Sequence, residues 1–201
     1  NRMKEVIILG CGGHAKSVID IILSNNDWKI KGLIGKKEEL YKSVLNYKVI
    51  GTDDDLEEIS HYISELILGI GQIGTSRKRQ EIVKDIEKYN FNFPSIKSKY
   101  SIVSLNSSIG EGTTVGHGAI INADSNIGSH CIINSSALIE HDVEINNFCH
   151  ISTGAVINGN VIIGEGSFIG SGAIIREGLK IPRNSVISAG KVVMGWPFNN
   201  G

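Results

Sequence analysis

The chain has no excess of either charge: its 201 residues carry 20 lysines and arginines against 21 aspartates and glutamates. That balance supplies no basic face for nucleic acid and no polybasic run for a membrane surface. Long apolar runs are missing too. Val6 to Leu9 and Leu66 to Leu68 are far short of the ~20 residues that span a bilayer, and no leader of charged, apolar and small residues opens the chain. Cysteine is scarce. Cys11, Cys131 and Cys149 are odd in number and form no CxxC pair, which fits reduced thiols in a cytoplasmic protein better than a disulfide framework. No set of His, Cys and carboxylate residues has metal-ligand spacing. The expectation is a cytoplasmic protein with no metal, no nucleic-acid partner and no membrane insertion.

What is present falls into two halves. From Met3 to Phe93, apolar runs alternate with amphipathic charged segments. "EVIILG" (5–10), "WKIKGLIG" (28–35) and "ELILGIG" (65–71) read as buried strands, and His14 to Asn25 and Ser76 to Tyr89 as helices. "TDDDLEEISHYI" starts a further helix, with Thr52 as N-cap and acids in its first turn. The order predicts a small β-α-β-α-β-α unit with a three-stranded parallel sheet, an α/β domain over 3–93.

After Pro94 the helical pattern stops and the chain can be written in blocks of six. From Val103 to Val193, sixteen successive blocks carry Val or Ile at the third place without a slip. A β-branched residue every six positions, followed by Gly, Asn or Ser, describes a short strand, a turn and a return to the same depth. One turn of that kind cannot bury its apolar row alone, so the turns must stack as a solenoid. The blocks resemble those of left-handed parallel β-helix acyltransferases, which implies an all-β domain over 94–201 with about three hexads per triangular coil.

His141 and His150 stand at places five and two of their blocks, with one block between. In a three-faced prism they fall on different faces. A threefold assembly would let two such faces meet, so a homotrimer with active sites at subunit boundaries is expected. Acyl transfer from a thioester requires a base for the incoming nucleophile and donors for the oxyanion. Imidazole suits the first task, and either Glu140 or Asp142 could orient His141.

The whole chain resembles bacterial sugar acetyltransferases of the NeuD/PglD type, on "SSALIEHD" (135–142) and "FCH" (148–150). The resemblance implies acetyl-CoA as co-substrate and His141 as general base, with Asp142 raising its basicity. It gives His150 to the acetyl group, the Gly159 backbone to the thioester carbonyl, and Ser171 and Ala189 to the pantetheine channel. Asp142 stands where the family often has a longer Glu.

"GCGGHA" (10–15) joins a strand to a helix and satisfies G-x-G-x-x-A. A dinucleotide site also wants an acid after the second strand, where this chain has Gly35 and Lys36. The resemblance instead gives "GGHAK" to the sugar substrate, through Gly12, Gly13 and His14, and Gly71 in "GIGQ" is expected either to flank the same pocket or to make a tight structural turn. His61, His117 and His130 read as solvated, and Cys149 as a small residue of its block. Trp196, in "VVMGWPFNN" (192–200), is expected to close the last coil or cover the coenzyme. The leading expectation is N-acetylation of an amino sugar linked to a nucleotide. The competing readings are O-acetylation of sialic acid, a nicotinamide-dependent oxidoreductase and a non-catalytic scaffold.

Overall fold

The computed structural model describes residues 3–197, so the Phe198 to Asn200 part of the expected closing segment lies outside the described residues. Two compact units are present. One comprises the chain up to Gly71 together with Arg79–Pro94; the other comprises Gln72–Lys78 and the chain from Ser95 onward.

The first unit is a five-stranded sheet built from β1 (Lys4–Leu9), β2 (Trp28–Ile34), β3 (Ser43–Val44), β4 (Tyr47–Gly51) and β5 (Glu65–Leu68) in the order β3-β4-β2-β1-β5. Helices α1 (Gly13–Leu23), α2 (Leu56–Ser60) and α3 (Arg77–Ile86) accompany it. Val6, Ile7 and Ile8 have no exposed surface, which is why β1 reads as an unbroken apolar run: it is the inner strand of a parallel sheet, buried on both faces. The expectation of three strands is corrected here. The hairpin of β3 and β4 adds an edge, antiparallel within itself, with β4 parallel to β2. Its strands are short and β4 carries an exposed lysine, Lys48, so no sustained apolar run announced them. Thr52 starts its helix as a single 3-10 turn, in which the Asp55 carboxylate accepts both the backbone N–H and the hydroxyl of Thr52, at 2.7 and 3.1 Å.

The second unit is a left-handed β-helix. Its two-residue strands pair in parallel with those eighteen residues away, as Ile120 does with Leu138, and form three faces. The first face holds Ile102–Val103, Ile120–Ile121, Leu138–Ile139, Val156–Ile157, Ile174–Ile175 and Val192–Val193. The second runs from Ser108–Ile109 to Lys180–Ile181, and the third from Ile96–Lys97 to Val186–Ile187. The third residue of each block points inward and is buried from Val115 to Val193, each such side chain contributing about 1.5–3 kcal/mol. Trp196 packs against the end of this apolar column.

The sixth residue of most blocks turns the corner with positive φ, as at Asp124 (57°), Asp142 (59°) and Asn160 (56°), where Asp, Asn and Gly are tolerated best. His130 (55°) and Phe148 (55°) occupy the same place and stack on each other across one coil, with ring centroids 5.0 Å apart. His130 is therefore buried, not solvated: the neighbouring ring supplies the cover that a single coil lacks. His117 is half-buried, with Nδ1 2.5 Å from the Ser98 hydroxyl, and His61 is exposed at the end of α2.

Candidate active site

The corner between the first and second faces carries His141, Asp142 and Gly159. Its backbone is fixed before any chemistry is considered. The Ser125 hydroxyl donates to the Glu140 carbonyl at 2.6 Å, the Asn160 N–H donates to the His141 carbonyl at 3.1 Å, and the Asp142 N–H donates to Ala123 at 3.1 Å. The left-handed conformation of Asp142 brings its carboxylate back to the preceding side chain, 2.7 Å from His141 Nδ1. That contact fixes a proton on Nδ1 and leaves Nε2 with a lone pair. The hydrogen bond that His141 Nδ1–H donates to Asp142 is the largest effect and holds His141 above the ordinary histidine value of 6.5; desolvation opposes it, and the charges of Asp142 and Glu140 add to it. Glu140 is not the orienting acid: its Oε2 accepts from Asn122 at 3.1 Å, one coil earlier.

Gly159 lies one coil beyond His141. A Cβ there would stand 2.9 Å from Cε1 and 3.1 Å from Nε2 of the imidazole, so the ring rests on a backbone that only glycine leaves bare. His141 itself is 64% exposed. The corner is therefore an oriented, solvent-facing base beside a main-chain amide.

Ser171 and Ala189 stack on a different corner, between the third and first faces; the Gly190 N–H donates to the Ser171 carbonyl at 2.8 Å, and the Ser171 hydroxyl meets that of Ser152 at 2.9 Å. His150 belongs to the third face and is buried away from the His141 corner. Cys149 and Cys131 are interior neighbours, and the Cys131 side chain and burial push the Cys149 thiol far up, out of the nucleophilic range. Among the described residues no group of three His, Cys, Asp or Glu side chains could hold a metal, and no helix is long and apolar enough to cross a membrane.

In the first unit, Gly12 and Gly13 open α1 with no side-chain cap and no acid in the first turn, and open space surrounds both. Gly10 (φ 118°) lets the chain turn where a Cβ would be 2.8 Å from Ile70 Cγ1. Gly71 backs onto His14, whose Cβ would be 3.3 Å from a Cβ at 71. Gly71 thus lies beside His14, the residue that follows Gly12 and Gly13 at the start of α1. A residue the sequence did not single out holds this turn: Arg79 of α3, 2% exposed, donates to the Ile70 carbonyl. Its signal was a charged residue on the apolar side of a helix. The missing acid after β2 also has a cause, since a Cβ at Gly35 would lie 2.6 Å from Cys11 Sγ and 2.9 Å from Glu39 Oε2. Burial, and secondarily Glu39, raise the Cys11 thiol to about 11.

Residues 5–86 match the family described as PglD N-terminal domain, and residues 142–177 match bacterial transferase hexapeptide (six repeats). A histidine-to-asparagine variant of perosamine N-acetyltransferase from Caulobacter crescentus, solved with CoA and GDP-perosamine, is 30% identical, covers 96% of this chain and 90% of its own, and superposes with a TM-score of 0.88. The chain belongs to the NeuD/PglD-type acetyltransferase family. Within that family, the acetyltransferase domain of PglB from Neisseria gonorrhoeae, in complex with acetyl coenzyme A, is 27% identical over 96% of this chain and 93% of its own, with a TM-score of 0.84. UDP-N-acetylbacillosamine N-acetyltransferase from Bacillus subtilis is 31% identical over 113 residues, 56% of this chain. That match spans about half (51%) of the relative's own length.

Proposed function

We propose that the protein transfers the acetyl group of acetyl-CoA directly to the amine of a nucleotide-linked sugar. The observation that carries this reading is the exposed His141 imidazole, bonded to Asp142 at 2.7 Å through Nδ1 and lying over Gly159. Nε2 removes the proton as the sugar nitrogen attacks the thioester carbonyl. Asp142 stabilises the imidazolium as it forms, and the Gly159 amide orients the acetyl group. The glycine turn of Gly12, Gly13, His14 and Gly71 holds the sugar nucleotide. N-acetylation is favoured over O-acetylation by the relatives, which are named as N-acetyltransferases of perosamine and of a UDP-linked bacillosamine.

The assembly belongs to the same proposal. The outward row of the first face is aliphatic throughout: Ile102, Ile120, Leu138, Val156, Ile174 and Val192, with Ile102 65% and Val192 51% exposed. The second face turns Ser108, Asn126, Glu144, Ile162 and Lys180 outward, with Ile162 its one aliphatic member. The apolar face lies between the corner of Ser171 and Ala189 and that of His141 and Gly159. Packing it against a second copy about a threefold axis gives a homotrimer in which the pantetheine corner of one subunit serves the base of the next. The reading assigns the enzyme to the cytoplasm, where acetyl-CoA is made.

Incubation with acetyl-CoA and a panel of UDP- and GDP-linked amino sugars and sialic acids, followed by free-thiol release, tests the reaction. Release with an amino sugar and its loss in His141→Ala are expected; release with sialic acid alone contradicts the amine assignment.

A further inference from the structure

The corner between the third and first faces changes character along its length. At the fifth and sixth places of its blocks stand Ser135 and Ser136, Thr153 and Gly154, Ser171 and Gly172, Ala189 and Gly190, a channel floor of small residues. Toward the N-terminus the same places hold His117 and, one coil earlier, Lys99 and Tyr100, so large side chains close that end. Main-chain bonds keep them on the column: the Ser136 N–H donates to the His117 carbonyl at 2.9 Å, and the Gly118 N–H to the Tyr100 carbonyl at 3.1 Å.

His117 is held in one orientation. Ser98 is 3% exposed, and its hydroxyl oxygen accepts the Tyr100 N–H at 3.0 Å. The hydroxyl proton then has His117 Nδ1, 2.5 Å away, as its acceptor. With Nδ1 accepting, the ring carries its proton on Nε2, which has no hydrogen-bond partner among the described residues. The ring is half-buried, and this N–H reaches solvent. Tyr100, 66% exposed, meets the imidazole edge-on with ring centroids 5.9 Å apart. An aromatic face beside one oriented donor suits a sugar ring: the first covers C–H groups, the second bonds one hydroxyl, and neither brings a charge for a phosphate. A serine and histidine in contact can also form a nucleophilic pair, but the Ser98 hydroxyl is buried and already bonded twice, so it cannot reach an acyl group.

A threefold axis along the stack keeps equal coils at equal height, so the base of the next subunit stands between the levels of Ser135 and Thr153. Pantetheine leads from there toward Ser171 and Ala189. The nucleophile must therefore approach the thioester from the other end, where His117 lies one coil, about 4.8 Å, before Ser135. We propose that His117, as the Nε2–H tautomer set by Ser98, binds a hydroxyl of the acceptor sugar while the Tyr100 ring covers the apolar face of that sugar. The inference rests on the acetyl-transfer reading and gives the acceptor its place in that site.

The test uses acetyl-CoA and an amino sugar, drawn from the UDP- and GDP-linked panel, that the wild type acetylates. His117→Ala should lower kcat/KM for the acceptor about tenfold, the loss of one hydrogen bond, and leave the KM for acetyl-CoA within about twofold. His117→Gln, whose amide N–H can take the place of Nε2–H, should recover most of that loss. Tyr100→Ala, at an exposed side chain, should show the same split between the two substrates, and it decides the matter if His117→Ala fails to fold. A rise in both KM values together, with no recovery in His117→Gln, would give His117 a merely structural role and overturn the proposal. An active wild type whose acceptor kcat/KM survives both His117→Ala and Tyr100→Ala overturns this inference alone, whereas a wild type inert toward the whole panel removes the acetyl-transfer reading and this inference with it.

Discussion

The sheet unit and the β-helix bury similar aliphatic side chains by different means. In the sheet, Ile8 is covered because β1 lies between β2 and β5, strands that recur at no fixed spacing in the sequence. In the β-helix, Ile151 is covered because Ile133 and Ile169 occupy the same place one coil before and after. The repeat makes every coil nearly equivalent, so its departures stand out. An imidazole at a corner, followed by Asp in the left-handed place and backed by a bare glycine one coil on, is such a departure. In the sheet unit the glycine turn is marked only by the positive φ of Gly10 and by close approaches between glycines and their neighbours.

The strongest way to break the comparison is to remove the departure and keep the repeat. His141→Ala should lower kcat by about 10³-fold with an unchanged melting temperature, since general-base catalysis supplies about 10²–10⁴ and the side chain is exposed. Gly159→Ala should cost about 10²-fold, because the added methyl displaces the imidazole from where it now rests. Unfolding and hydrogen exchange sharpen the contrast between the units. Ile151→Ala and Ile8→Ala should each cost about 2–5 kcal/mol, but exchange should rise only in coils near position 151 for the first and only in the sheet for the second. The smallest effect concerns the thiols: Cys149 and Cys131 should resist alkylation in the folded protein at pH 8, and Cys11, half-buried and raised to about 11, should react slowly.

The β-helix was legible because a single chemical requirement, a β-branched residue returning to the axis, repeats sixteen times. The His141 corner was legible in part. The adjacency of His141 and Asp142 is written in the chain, whereas the approach of Gly159 depends on an eighteen-residue coil stacking in register. Three features were not legible. The β3–β4 hairpin has too few residues, and too few consecutive apolar ones, to leave a pattern. The burial of His130 needs Phe148 from the next coil. The bond from His150 to Gln72 joins residues 78 apart, in a segment whose own sequence says nothing of its partner. Long-range pairings of polar side chains obey no period, and that is why they escaped.

The pairing of His141 with Asp142 also fixes a sign. His141 is raised above 6.5, so its contribution to stability is fully present below that value and fades as pH rises through the folded pKa. Activity must run the opposite way, because the base works only when neutral. The most direct measurement is the pH dependence of kcat/KM for acetyl transfer in the wild type and in Asp142→Asn. The account predicts a rising limb above 6.5 in the wild type that moves down in the variant, with a lower plateau. The same limb and the same plateau in both proteins would contradict it.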